Sequence, residues 1–153
     1  MFGGGLCYSQ VGPMAEESLG TLPARLIKIV RSSTSRGCRL AAIAQKGAKC
    51  FVTIDGQAGP EYDEIGKGSL VFSPDGKRIA YVARKGTKWF VVVDGQPWPE
   101  YDGIVEGSPV FSPDGKRIAY GALKGAKRFV VIDSQPGPEY DEIGKGSLVF
   151  SPD

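Results

Sequence analysis

The chain contains no histidine. Histidine is the commonest general base and the commonest transition-metal ligand. Its absence removes every Ser-His-Asp and Cys-His arrangement from the chain acting alone. Cysteine is nearly as scarce. Cys7, Cys38 and Cys50 are an odd number, all in the first third, and no C-x-x-C spacing occurs, which supports neither a zinc ribbon nor a redox pair. No apolar run approaches the length of a membrane span. No helical periodicity of useful length runs without a Gly or Pro, so paired-helix repeats are not expected either. The opening MFGGGLCYSQVGPMAEESLG has no basic n-region and no apolar stretch of the kind a secretory signal needs. Localisation is therefore unknown: cytoplasmic is the default, and periplasmic stays open should a leader precede Met1. A net charge of +2 is too small to point to nucleic acid.

What the chain has in excess is turn residues, 22 glycines and 11 prolines, and they fall at regular intervals. FSPDGKRIAY stands at 72–81 and again at 111–120. Residues 72–110 and 111–149 agree at 28 of 39 positions without a gap. The same step carries Asp55 onto Asp94 and Asp133, and Glu61-Tyr62-Asp63 onto Glu100-Tyr101-Asp102 and Glu139-Tyr140-Asp141. A third, eroded copy thus occupies 33–71, with STSRG where FSPDG would stand. Residues 1–32 read as an irregular N-terminal segment outside the repeat, and 150–153 as the start of a further copy.

A period of about 40 residues suits propeller blades or helix pairs, and the strand-like interior selects the first. In the last full copy the segments are GSPVF (107–111), KRIAYGA (116–122), KRFVVID (127–133) and EYDEI (139–143), expected as strands A to D. SPDG supplies a type I turn, and KGTK or KGAK closes the B–C hairpin. Strands B and C are apolar on both faces, which implies a sheet packed between neighbouring sheets. Strand D is short and charged, as a protected outer edge should be. The expected fold is all-β: a partial β-propeller of about three four-stranded antiparallel blades of 39 residues each.

The string SPVFSPDGKRIAY resembles the signature of the TolB-like β-propellers, a WD-repeat-like family. The resemblance covers residues 33–153, with two full signatures, one truncated and one eroded. It implies a four-stranded blade and a scaffold for protein or small-ligand binding. Related propellers also stand in front of serine peptidase domains. Roughly four to eight blades are needed to close a ring. Two expectations follow from three repeats: a fragment of a longer array, or a homodimer in which each terminal A strand completes an incomplete B-C-D sheet at the start of the other chain.

A residue that recurs in every copy is explained by folding, whereas chemistry at a single centre needs residues that break the repeat. Asp75 and Asp114 read as turn residues, and the recurring Glu-Tyr-Asp as solvated edges. GKGS at 66–69 and 144–147 fails as a phosphate loop because the first glycine of the motif would fall on Glu61 and Glu139. No catalytic residue, metal ligand or cofactor is expected. Two features remain as candidate partner sites. Trp98 replaces Gly59 and Gly137 in a loop flanked by prolines, where an indole could anchor a partner or cap its own blade. Lys46, Lys49, Lys85, Lys88, Lys124 and Lys127 gather at the B–C hairpins, forming either a basic rim for an acidic peptide or a merely soluble one. Trp89 is expected to pack between blades. The reading is a non-catalytic binding or assembly scaffold. Its partner would be a protein or peptide, without nucleic acid or a membrane span. The alternative is part of the substrate-gating propeller of a hydrolase such as a serine peptidase.

Overall fold

The computed structural model describes residues 25–34 and 37–151. The expectation of irregular structure over residues 1–24 lies outside them. Among the described residues every regular element is a strand. The chain divides into two compact units, Met1–Ile65 and Gly66–Asp153.

In the first unit β1 (Arg25–Thr34), β2 (Gly37–Lys46), β3 (Lys49–Ile54) and β4 (Gln57–Tyr62) lie side by side as a four-stranded sheet, followed by the short β5 (Glu64–Ile65). β1 corrects the expectation that the chain is irregular up to residue 32. It runs antiparallel to β2 from Arg25↔Gln45 to Thr34↔Gly37. Its segment RLIKIV is dense in the branched side chains that favour extended backbone. The strand carries no repeat signature because pairing with β2 asks only for backbone N–H and C=O groups. β1 also fills the edge of β2 that was expected to be open, so a terminal strand from a second chain finds that position taken.

The second unit begins with β6 (Val71–Phe72), β7 (Ile79–Lys85), β8 (Lys88–Val93) and β9 (Gln96–Pro97). It continues with β10 (Gly103–Ile104), β11 (Val110–Phe111), β12 (Ile118–Lys124), β13 (Lys127–Ile132) and β14 (Gln135–Tyr140). β10 and β11 pair with the same strand, β12, at opposite ends, so together they act as one interrupted first strand. The chain thus forms three antiparallel sheets with four strand positions each.

Strand D differs from its expected bounds at both ends. It begins at Gln135, directly after a tight turn, and stops at Tyr140. The turn is set by Asp55 (φ 50) and Gly56 (φ 85), by Asp94 (φ 51) and Gly95 (φ 82), and by Asp133 (φ 49) and Ser134 (φ 67), the left-handed pair that a two-residue hairpin requires. In the preceding repeat the residues after Tyr101 leave for the next sheet. Tyr101 exchanges backbone hydrogen bonds of 2.8 and 2.9 Å with Trp89 of its own sheet, whereas the N–H of Asp102 donates to the carbonyl of Leu123 at 2.9 Å. The segment expected as strand D is therefore, at residues 101–104, a crossing point between the second and third sheets.

Alternation along the strands builds the core of this unit. Ala80, Val82, Val91 and Val93 on the second sheet form one cluster with Ile118, Tyr120, Ala122, Phe129 and Val131 on the third. Tyr101 closes it, its ring 5.2 Å from Phe129 and 6.2 Å from Tyr120, both edge-on. Side chains on the other face of the second sheet, Ile79, Tyr81 and Val92, are buried as well. Each fully buried valine, isoleucine or phenylalanine contributes roughly 1.5–3 kcal/mol. This two-sided burial is what the two-sided apolar pattern requires.

Candidate functional site

The lysines of the expected basic rim sit where the hairpins put them. Lys46↔Lys49, Lys85↔Lys88 and Lys124↔Lys127 are the cross-strand pairs that close the β2–β3, β7–β8 and β12–β13 hairpins. Like charges directly opposite one another repel, and a carboxylate answers each pair. Lys49 bonds Asp63, Lys88 bonds Asp102 at 2.5 Å, and Lys127 bonds Asp141 at 2.5 Å. The Lys88 ammonium and the Gly125 N–H, which donates to the other carboxylate oxygen at 2.8 Å, hold Asp102 below the ordinary carboxylate pKa. Half of these lysines are thereby neutralised by the last residue of the recurring Glu-Tyr-Asp. Lys46, Lys85 and Lys124 leave one lysine per repeat with no ion pair among the described residues, half-buried at Lys46 and exposed at Lys85 and Lys124.

At the other ends of the strands, the recurring polar residues are all engaged in holding turns. Ser73 donates its hydroxyl to Asp75 Oδ1 at 2.6 Å and accepts the Arg78 N–H at 3.0 Å; Ser112 does the same with Asp114 and Arg117, at 2.6 and 2.9 Å. The serine hydroxyl is the main reason that the Asp75 and Asp114 carboxyls lie below the ordinary value. Asp55, Asp94 and Asp133 each accept one backbone N–H, from Leu40, Ile79 and Ile118, at 2.9, 2.9 and 3.0 Å. Their second oxygens take the Nε of Arg39, Arg78 and Arg117 at 3.0, 2.9 and 2.8 Å. Arg78 also donates to the carbonyl of Lys116 at 3.0 Å and lies 5.7 Å from the centre of the Phe111 ring, tying the second sheet to the third.

Trp98 is half-buried and packs against the apolar cluster of the second and third sheets, its ring 6.1 Å from Tyr120. Where β4 and β14 run for 6 residues, β9 has 2, and the ladder resumes only at the isolated Trp89↔Tyr101 bridge. A side chain explains the difference. A Cβ at the matching Gly59 or Gly137 would sit 3.0 or 3.2 Å from a valine carbonyl oxygen. Trp89 also packs at the edge of this cluster, under the Arg84 guanidinium at 5.7 Å. Tyr120 is fully buried and its hydroxyl has no hydrogen-bond partner among the described residues; burial pushes its pKa up.

One further surface lies at the last repeat. The outer face of the third sheet, with Val110, Ala119, Val130 and Ile132, meets the segment Leu148–Phe150 around a groove of about 150 Å³. Leu148–Phe150 forms no strand. Tyr140 at the edge of this face is 48% exposed, against 9% for Tyr101 at the matching position. This surface is legible in the sequence: the step that makes the second sheet's apolar face predictable applies equally to the third.

Among the described residues no group of three or more His, Cys, Asp or Glu side chains could hold a metal ion, and no helix is long and apolar enough to cross a membrane. No known protein family matches the sequence, and no curated protein matches it. Among solved structures the chain is similar to one titled "Structure of Dos1 propeller", with a TM-score of 0.52 and 12% sequence identity. The match covers 88% of this chain, which spans 38% of the length of that structure. The likeness is one of fold, and with the three four-stranded antiparallel sheets it shows an all-β, partial propeller.

Proposed function

We propose that the chain is a non-catalytic binding or assembly scaffold of the TolB-like propeller type. The observation that carries this reading is the use made of the recurring polar residues. Ser73 and Ser112 face the aspartates of their own turns, and Asp55, Asp94 and Asp133 face backbone amides and arginines. Each of these hydroxyls and carboxylates is engaged in holding a turn or hairpin. What each repeat leaves without an ion pair is one hairpin lysine, Lys46, Lys85 or Lys124, a positive charge suited to an acidic peptide.

Two experiments test the reading. Peptidase, esterase and phosphatase assays on the purified chain are expected to show no turnover; turnover abolished by Ser73→Ala or Ser112→Ala would overturn the non-catalytic assignment. A fluorescein-labelled glutamate-rich peptide is expected to bind at low salt and to weaken as salt rises. Replacing Lys46, Lys85 and Lys124 together with glutamine should remove that binding. Binding unchanged in the triple variant would remove these lysines from the account.

A further inference from the structure

Two segments of the second unit come close to being interchangeable. GKGSLVF (66–72) and VEGSPVF (105–111) carry the first strands, and IAYVARK (79–85) and IAYGALK (118–124) are the strands they pair with. The loops between them, SPDGKR, are identical. So are the paired residues: Val71↔Ala80 and Phe72↔Ile79 in the second sheet, Val110↔Ala119 and Phe111↔Ile118 in the third. The serine bonds repeat as well, Ser69 Oγ accepting the Val82 N–H at 3.0 Å and Ser108 Oγ the Gly121 N–H at 3.1 Å. Nothing in these contacts tells the chain which leading segment belongs to which sheet. A strand whose pairing is weakly specified is prone to alternative partners and to swapping.

One contact does distinguish them. The Gly66 N–H donates to the Val82 carbonyl at 2.8 Å, and the Val105 N–H to the Gly121 carbonyl at 2.8 Å. The backbones thus meet in the same way, with the side-chain sizes reversed. A Cβ on Gly66 would lie 3.0 Å from Val82 Cβ, and one on Gly121 would lie 2.9 Å from Val105 Cβ. Each native pair holds one valine. Exchanging the leading segments would set Val105 against Val82, two side chains in a space for one. It would also set Gly66 against Gly121 and leave a gap in a buried contact. Both crossed pairings are penalised, and both native ones are filled.

The turns add a weaker mark of the same kind. Glu106 forms an ion pair with Lys145 in the following turn, and Lys67 in the preceding turn also lies close enough to favour its carboxylate. Successive turns thus carry a positive, a negative and a positive charge. An exchange would put Lys67 beside Lys145. Lys145 and Glu106 are 73% and 71% exposed, so the valine, rather than the charge, carries most of the discrimination.

We propose that the reversed pairs, Gly66 with Val82 and Val105 with Gly121, specify the order of the repeats: they direct each leading segment to its own sheet and exclude the crossed pairing between near-identical copies. The device goes beyond the scaffold reading and does not depend on it.

The test refolds the full chain, labelled with ¹⁵N and ¹³C, from urea. The unaltered chain is expected to give one set of cross-strand contacts, Val71 with Ala80 and Val110 with Ala119. Two double variants erase the distinction while leaving every native pair with one valine: Val105→Gly with Gly121→Val, and Gly66→Val with Val82→Gly. In each, a second set of contacts, Val71 with Ala119 and Val110 with Ala80, should rise at least about tenfold as a share of the refolded protein. The quadruple variant carrying all four substitutions restores the distinction in inverted form, and its mispaired share should return to that of the unaltered chain. A role in packing alone predicts that the quadruple behaves no better than the doubles. A single set of contacts in either double, or a mispaired quadruple, would overturn the proposal. Doubles that fail to fold beside a quadruple that folds would support it. Should none of the three fold, Glu106→Lys leaves the core untouched: at low salt it should raise the mispaired share, and an unchanged share would overturn the proposal.

Discussion

Val105 and Gly121 reverse the sizes of the residues one repeat earlier, Gly66 and Val82. A Cβ on Gly121 would approach Val105 Cγ2 to 2.8 Å, and a Cβ on Gly66 would approach Val82 Cβ to 3.0 Å. One valine fits between the strands, and either partner can supply it. Gly121→Val alone should therefore destabilise by about 1–3 kcal/mol through overpacking. Adding Val105→Gly should recover part of that loss, with a coupling of roughly 0.5–3 kcal/mol in urea unfolding; strict additivity would mean that the two positions do not share a space. Ser134 offers a gain in place of a loss. It holds a φ of 67° where Gly56 and Gly95 stand in the other hairpins. A left-handed non-glycine costs roughly 1–2 kcal/mol, so Ser134→Gly should raise the urea midpoint. A lower midpoint would show that the serine side chain contributes more than the strain costs.

The hairpins and turns set how the fold responds to acid. Asp75 and Asp114, held by serine hydroxyls, and Asp102, held by Lys88, all titrate below the ordinary carboxylate value. A carboxylate whose pKa is depressed on folding contributes stability that is complete above its unfolded pKa of about 3.9 and is lost as pH falls through the folded value. Unfolding midpoints should thus be flat from neutral pH to about 5 and fall below about 4. Ser73→Ala and Ser112→Ala should reduce that acid-dependent component, and an unchanged acid limb would contradict the turn assignment. At this scale the sequence was legible where one turn contains its own explanation. SPDG and the lysine-flanked hairpins were readable because each interaction closes within a few residues. The bounds of strand D were not, because Asp102 and Gly103 pair with Leu123 of another sheet, and charge alone made the segment look like an edge. The Asp-Gly dipeptides were an available signal for the early start of that strand. β1 was hidden for a different reason: its role rests on backbone pairing with β2 and needs no repeat signature.

Over the whole chain, the repeat was visible as a period and the sheets as segments apolar on both faces, and both readings match the structure. Trp98, singled out because it breaks the repeat, lies half-buried against Tyr120 and the cluster between two sheets. Sequence marks such a residue as unusual but does not say whether a neighbouring sheet will cover it. The most direct test of the central claim, that the repeat ending at Val110 hands residues 102–104 to the third sheet, is a set of nuclear Overhauser contacts in the labelled full chain. Cross-strand contacts are expected between Gly103 and Leu123 and between Ile104 and Ala122, together with ring contacts from Tyr101 to Phe129. Contacts that instead pair Gly103 and Ile104 with β8 of their own sheet would contradict the account.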